Sequence, residues 1–204
     1  MSDERETRLC PLELRSDPDS PTLRGYAATF NNLSENLGGF REQIEPGAFD
    51  NVLNDDVRAL INHDSNLILG RTTADTLFLS VDDTGLRYEI NPPQTRYATD
   101  LLLSVKRGDV SQSSFAFTID RDSWDEDDDG RIIRTIHAVK RLYDVSPVTF
   151  PAYPDTAVAV RSLQQQTSDK KRLVNERRDR IARQTWLYRN HAIFHGAKAH
   201  HSQP

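Results

Sequence analysis

Short apolar runs of period two, separated by turn residues, fill the middle of this chain and leave little choice of fold class. In VRALINHD the apolar Val57, Ala59 and Ile61 alternate, as on a strand that buries one face. LRGYAATF, DTLFLSV and LRYEI read the same way, and Asp82, Asp83, Thr84 and Gly85 join the last two in a hairpin signal. DVSQSSFAFTI is a further strand; the cluster DSWDEDDDG turns it, and RIIRTIHAVKRL returns as its partner. YDVSPVTFPAY closes the series as an extended segment. Helical spacing is rarer. In TRYATDLLLSVKRG, residues 95–108, Tyr97, Leu101, Leu102 and Val105 recur as on an amphipathic helix that Gly108 ends. Pro46 opens a second, short helix over residues 46–53, and residues 31–43 read as a loop. About seven strands and two helices with no βαβ rhythm predict a mainly β fold with flanking helices (α+β), arranged as an antiparallel, partly closed β-barrel.

The ends differ from this middle. Residues 1–20 are polar and contain Pro11 and Pro18, which predicts a flexible lead-in, with the folded domain at 21–162. Residues 163–204 form a basic tail in which QQQTSD is a polar linker and KKRLVNERRDRIARQTWLYRN a helix over 169–189; HAIFHGAKAHHSQP reads as disordered. Residues 161–204 hold 10 Lys and Arg against 3 Asp and Glu, a net of +7, while residues 1–160 hold 16 against 28, a net of −12. That opposition suggests a tail that binds a partner. No apolar run approaches the roughly 20 residues of a membrane span, and the charged start MSDERETRLC lacks the apolar stretch of a secretory signal, so a cytoplasmic location is expected. Cys10 is the single cysteine, which excludes an internal disulfide and a cysteine-held zinc.

Three places carry polar residues where strands should begin or end: Asn62-His63-Asp64, Ser111-Gln112-Ser113-Ser114, and Tyr143-Asp144-Val145-Ser146. A serine nucleophile needs an imidazole to take its proton, a third group to fix the imidazole tautomer, and backbone donors for the oxyanion. Ser111, Ser113 and Ser114 compete for the first role. Alternation puts Ser113 with Phe115 and Phe117 on one face and Ser114 with Ala116 on the other. With the phenylalanines in the core, Ser113 points inward and Ser114 outward, which favours Ser114 over Ser113 and leaves Ser111 open. Histidines elsewhere read as structural: His137 lies on a strand among basic residues, and His191 and His195, although four apart, have no acidic or cysteine ligand following them. Asp125–Asp129 lacks the spaced ligands of a calcium loop and reads as a solvated hairpin tip. No metal or other cofactor is expected.

In order, GYAATFN, IEPGAF, INHD, LGR, GDVSQSSFAF and YDVSPVTFPAYPDT resemble the prohead protease family of tailed bacteriophages, over roughly residues 23–160. The family is related in fold to herpesvirus assembly proteases, a β-barrel flanked by helices. The resemblance implies a serine endopeptidase. Its catalytic histidine, in a His-Asp motif, falls on His63. Its nucleophile, directly before Phe-Gly-Phe, falls on Ser114. Its acidic third member falls on Asp144. The comparable loop after that residue makes the Ala152 N–H an oxyanion candidate. Two departures stand out: Ala116 where the family carries glycine, and Ser113 where methionine is common. The implied substrates are segments of scaffold and capsid precursor, cut inside the prohead in the host cytoplasm, with self-cleavage in polar segments such as 163–170. The portal is a further candidate partner, as is a second copy of the chain. Trp186 and Tyr188 beside the arginines give the tail a nucleic-acid-like composition, but the resemblance favours docking to capsid or scaffold protein, or removal. The rival from another class is a non-catalytic assembly protein with the same fold. An esterase is disfavoured by the absence of Gly-x-Ser-x-Gly.

Overall fold

The computed structural model describes residues 4–10, 15–16, 21–150 and 156–196. The chain divides into two compact units, Met1–Val160 and Arg161–Pro204. The first unit is mainly β with one complete α-helix, built on two sheets. One runs in the order β1 (Glu6–Cys10), β9 (Gln112–Glu126), β10 (Ile132–Val148), β5 (Arg58–Ile61), β6 (Asp64–Arg71), with β4 (Phe40–Ile44) also paired to β10. The other runs β2 (Arg15–Ser16), β3 (Leu23–Thr29), β8 (Gly85–Ile90), β7 (Leu77–Val81). Neither sheet closes on itself through its strand pairings. The core between them holds Leu23, Phe49, Leu86, Tyr88, Phe115, Phe117 and Leu142, with Phe115 and Phe117 stacked at 4.7 Å and Phe49 edge-on to Phe115 at 5.8 Å.

The hairpin foreseen at DDTG is present: Asp82 accepts from the N–H groups of Thr84 and Gly85, and β7 and β8 pair antiparallel on either side. The foreseen helix is also present as α1 (Arg96–Arg107), ended by Gly108 at φ 84, where a side chain would be strained. The strand DVSQSSFAFTI and its return partner are β9 and β10, longer than expected, so the acidic turn shrinks to residues 127–131.

The all-antiparallel expectation is corrected by β4 and β5, which both run parallel to β10. Period-two patterning carries no strand direction. β10, with 17 residues, is long enough to take both short strands end to end along one edge. The segment between them advances along that edge instead of doubling back. It stitches the gap with bonds from Glu45 N to Ile136 O, Val139 N to Ala48 O, and Leu142 N to Asp55 Oδ2.

The same segment corrects the helix expected at 46–53. Residues 46–54 are a run of turns with i to i+3 bonds, such as Asp50 N to Gly47 O and Val52 N to Phe49 O. Gly47 at φ 88 breaks helical continuity, and Ala48 O is committed to β10. The expected loop over 31–43 ends in a strand, since Phe40 begins β4.

The expected lead-in contains β1, paired antiparallel with β9. Its inward residues are Glu6, Arg8 and Cys10, so two of its three buried positions carry charge and no apolar period betrays a strand. The charges are met in place. Arg8 donates to Glu6 and, at 2.7 and 2.9 Å, to Glu42; Arg134 donates to Glu6 at 3.1 Å and to Asp122 at 2.7 Å. Burial disfavours the Arg8 cation, but the Glu42 and Glu6 carboxylates outweigh it and hold its pKa above the ordinary value.

α2 (Thr156–Gly196), which forms the second unit from Arg161 on, covers the helix expected at 169–189 and extends beyond it at both ends, taking in the expected linker QQQTSD and part of the stretch read as disordered. The linker holds no glycine or proline, so nothing in it stops a helix. The described side chains of α2 are mostly exposed, supported by pairs such as Arg172–Asp169 and Arg172–Glu176. Among the described residues no helix is long and apolar enough to cross a membrane.

Candidate active site

Three strands of the first sheet converge on one group of side chains. β5 and β6 are joined by a two-residue turn, Asn62-His63, with φ 52 and 60. Consecutive left-handed residues are what a tight hairpin of this twist requires, and the second position ordinarily favours glycine. Here it carries histidine. Asn62 ties the turn to the end of β10: its N–H donates to Pro147 O at 3.0 Å, its Nδ2 to Thr149 Oγ1 at 3.2 Å, and its Oδ1 accepts from Thr149 N at 2.8 Å.

β9 supplies Ser114. Phe115 and Phe117 are buried in the core, as alternation predicted, and Ser114 lies on the opposite face. Ser113 points inward, its hydroxyl 2.5 Å from that of Tyr88, so it is engaged in the core; burial pushes the Tyr88 phenol up, with the Ser113 bond pulling the other way. Ser111 precedes β9, and the hydroxyl that reaches His63 is that of Ser114. Ala116 sits in the regular body of the strand and has no positive φ, so alanine in place of glycine carries no strain of that kind.

β10 supplies Asp144 at an irregularity between Leu142 and Asp144. In register, Ser146 lies opposite Ser114 and Asp144 opposite Ala116, which keeps all four on one face. His63 Nδ1 lies 2.6 Å from Asp144 Oδ1, and His63 Nε2 lies 2.7 Å from Ser114 Oγ. Ser146 Oγ donates to Asp144 Oδ1 at 2.7 Å, and Arg5 donates to Oδ2 of the same carboxylate. Ser114 is 0% exposed and Asp144 1%, while the His63 side chain keeps 19%. The pair is thus sheltered from water, where hydrogen bonds to a charged group are strongest. A hydroxyl, an imidazole and a carboxylate in this chain of contacts can move a proton from Ser114 to His63 while Asp144 holds the other ring nitrogen.

The structure brings together His63, Ser114 and Asp144. Ala152 lies outside the described residues. Ser146 stood in the sequence two residues after Asp144, where alternation puts it on the same face, but nothing marked it as a partner of the carboxylate. Arg5 had no signal, since the segment around it read as a lead-in.

A second Ser–His–carboxylate group lies further along the same strands: His137 Nδ1 is 2.7 Å from Glu45 Oε2 and Nε2 is 2.9 Å from Ser123 Oγ. The Glu45 side chain is 47% exposed, and Ser123 is also bonded to Asp125 at 3.3 Å. Solvent screens such a pair, and the group serves to tie β9, β10 and the end of β4 together. Among the described residues no group of three or more histidine, cysteine or acidic side chains is set to hold a metal ion.

An imidazole between a sheltered serine and a buried aspartate is the arrangement that serine hydrolases use. The family model described as caudovirus prohead serine protease matches residues 11–171, and the chain belongs to that family. The prohead protease of Enterobacteria phage HK97 is 29% identical over 154 residues, covering 72% of this chain and 63% of the relative. The chain thus spans less than two thirds of that relative's length. No solved structure matches.

Proposed function

We propose that this chain is a serine endopeptidase that cuts segments of scaffold and capsid precursor during prohead maturation, inside the prohead in the host cytoplasm. The observation that carries the reading is the 2.7 Å approach of His63 Nε2 to Ser114 Oγ, with Nδ1 held by Asp144 at 2.6 Å. Ser114 Oγ attacks the scissile carbonyl carbon as its proton passes to His63 Nε2. The carbonyl π electrons move onto oxygen, where backbone N–H groups meet them, with Ala152 N–H proposed as one. Collapse breaks the C–N bond, and His63 gives the proton to the departing amine. Water, deprotonated by His63, then releases the acyl group from Ser114 by the same steps. Asp144 keeps the Nδ1 proton in place and stabilises the imidazolium. No cofactor enters these steps.

Burial of Ser114 suits an enzyme that must not cut before assembly, because a substrate strand gains the hydroxyl only after local opening. The α2 unit, with its basic exposed surface, is proposed to dock on capsid or scaffold protein, with the portal as a further partner. Self-cleavage within 163–170 would require the helix to unwind locally. For architecture, the herpesvirus assembly protease barrel is proposed as the relative of this fold. Support comes from β1, at one edge of the first sheet, lying alongside β3 of the second, as at the start of closure.

The test is co-expression with the capsid precursor, wild type against Ser114→Ala, read by intact mass. Loss of processing with particles still assembling supports the peptidase. Processing unchanged in Ser114→Ala refutes it and leaves a non-catalytic assembly protein.

A further inference from the structure

We infer that Arg5 is a positioning residue for this site, through its ion pair with Asp144, and that the seating of strand β1 is thereby coupled to proton transfer at Ser114. The inference rests on the reading of His63, Ser114 and Asp144 as the reacting group.

Strand geometry puts Arg5 where it is. In β1, Glu6, Arg8 and Cys10 face the core, and Thr7 and Leu9 face the other way, with Leu9 opposite Ser114 in register. Continuing the alternation by one residue brings Arg5 to the face of Ser114 and Asp144. Its guanidinium pairs with Asp144 Oδ2 and lies over the Tyr143 ring at 5.0 Å, with Arg141 against the same ring at 4.8 Å. One residue on, Glu6 is anchored from the opposite face by buried Arg8 and Arg134. The strand is therefore held from the core side and offers a cation to the active side.

The carboxylate of Asp144 is divided between two jobs. Oδ1 takes His63 Nδ1 and Ser146 Oγ; Oδ2 takes Arg5. Asp144 is 1% exposed with Arg5 in place, and the guanidinium is the partner that covers Oδ2. Without Arg5 the carboxylate is held only at Oδ1, by His63 and Ser146, and its position against the ring is less fixed. The guanidinium charge beside the His63–Asp144 pair is lost with it. Both changes disturb the alignment and the local field in which the proton passes from Ser114 to His63. Charged or titratable groups near the site are Tyr143 and Arg141 beside Arg5 on β10, Arg58, opposite Asp144 on β5 and bound to Asp56, and Asp64, next to His63 on β6 and bonded to Asn66. None of these reaches Oδ2 in place of Arg5.

The test compares wild type, Arg5→Met, Arg5→Lys and Ser114→Ala in the full-length chain assembled with capsid precursor. The rate of precursor cleavage is followed across pH, with the thermal midpoint measured alongside. Arg5→Met keeps the length of the side chain and drops its charge. It should cut cleavage near neutral pH roughly tenfold and displace the acid limb of the profile, by an amount that the 47% exposure of Arg5 keeps small. Arg5→Lys should restore most of the rate and the position of the limb, which a purely packing role would not allow. As a measurement independent of turnover, the low-field proton resonance of the His63 Nδ1–H bonded to Asp144 should change in position in Arg5→Met and stay close to wild type in Arg5→Lys. A rate profile and resonance unchanged in Arg5→Met overturn the inference, as does loss in Arg5→Lys equal to that in Arg5→Met. If Ser114→Ala cleaves like wild type, it is the underlying assignment of the nucleophile that fails.

Discussion

Replacing His63 by glycine and by alanine separates what the turn costs from what the imidazole does. The residue sits at φ 60, directly after Asn62 at φ 52. An L side chain in that region costs about 1–2 kcal/mol through contact of Cβ with the backbone, while glycine gives back about 0.4–1 kcal/mol through the greater freedom of its unfolded chain. Both variants lose the same bonds to Ser114 and Asp144, so those losses cancel between them. The glycine variant should therefore be the more stable of the two by about 0.5–1 kcal/mol. In a chain of this size that difference is a gap of about 1–4 °C in thermal midpoint. The assay is thermal unfolding of both variants in one buffer, with urea midpoints as a second measure. Neither should process capsid precursor. An alanine variant as stable as the glycine variant, or more so, would refute the view that this turn strains any residue with a side chain.

Three further outcomes follow from other parts of the molecule. Asp144→Asn leaves the shape intact but presents an amide to the ring, so precursor cleavage should fall by about 10⁴-fold with the thermal midpoint little changed; retained cleavage would remove Asp144 from the mechanism. Glu42→Ala strips Arg8 of a buried partner and should cost about 3–5 kcal/mol in urea unfolding. Asp82 is held below the usual carboxylate range by the Tyr26 hydroxyl and by the N–H groups of Thr84 and Gly85. Its contribution is therefore present above an unfolded value of about 4 and lost as pH falls through the lower folded value. The stability gap between wild type and Asp82→Asn should be wide at pH 7 and shrink below pH ~4 when thermal midpoints are compared.

Much of the site was legible because it rides on regular alternation. With Phe115 and Phe117 in the core, the face of Ser114 followed, and its separation from Ser113 followed with it. The β7–β8 hairpin and α1 were readable from Asp82–Gly85 and from Gly108, where local chemistry stops an element. The direction of β4 and β5 was not readable, since a period of two is the same in both senses. Nor was β1, whose inward side chains are Glu6 and Arg8, charges that only their partners on other strands make acceptable. Pro46 can open a helix or a turn, and Gly47 together with the bond from Ala48 O to β10 decides for the turn. Arg5 falls in the same blind spot as β1: an arginine in a polar stretch says nothing until the strand beside it is seated.

The five interlocked charges, Glu6, Arg8, Glu42, Asp122 and Arg134, come from four different strands, β1, β4, β9 and β10. Losing any one of them takes a bond from a buried partner on another strand. In descent they should behave as one heritable character, kept whole or exchanged whole for apolar residues, and a lineage in mid-exchange would be the one least able to tolerate warmth.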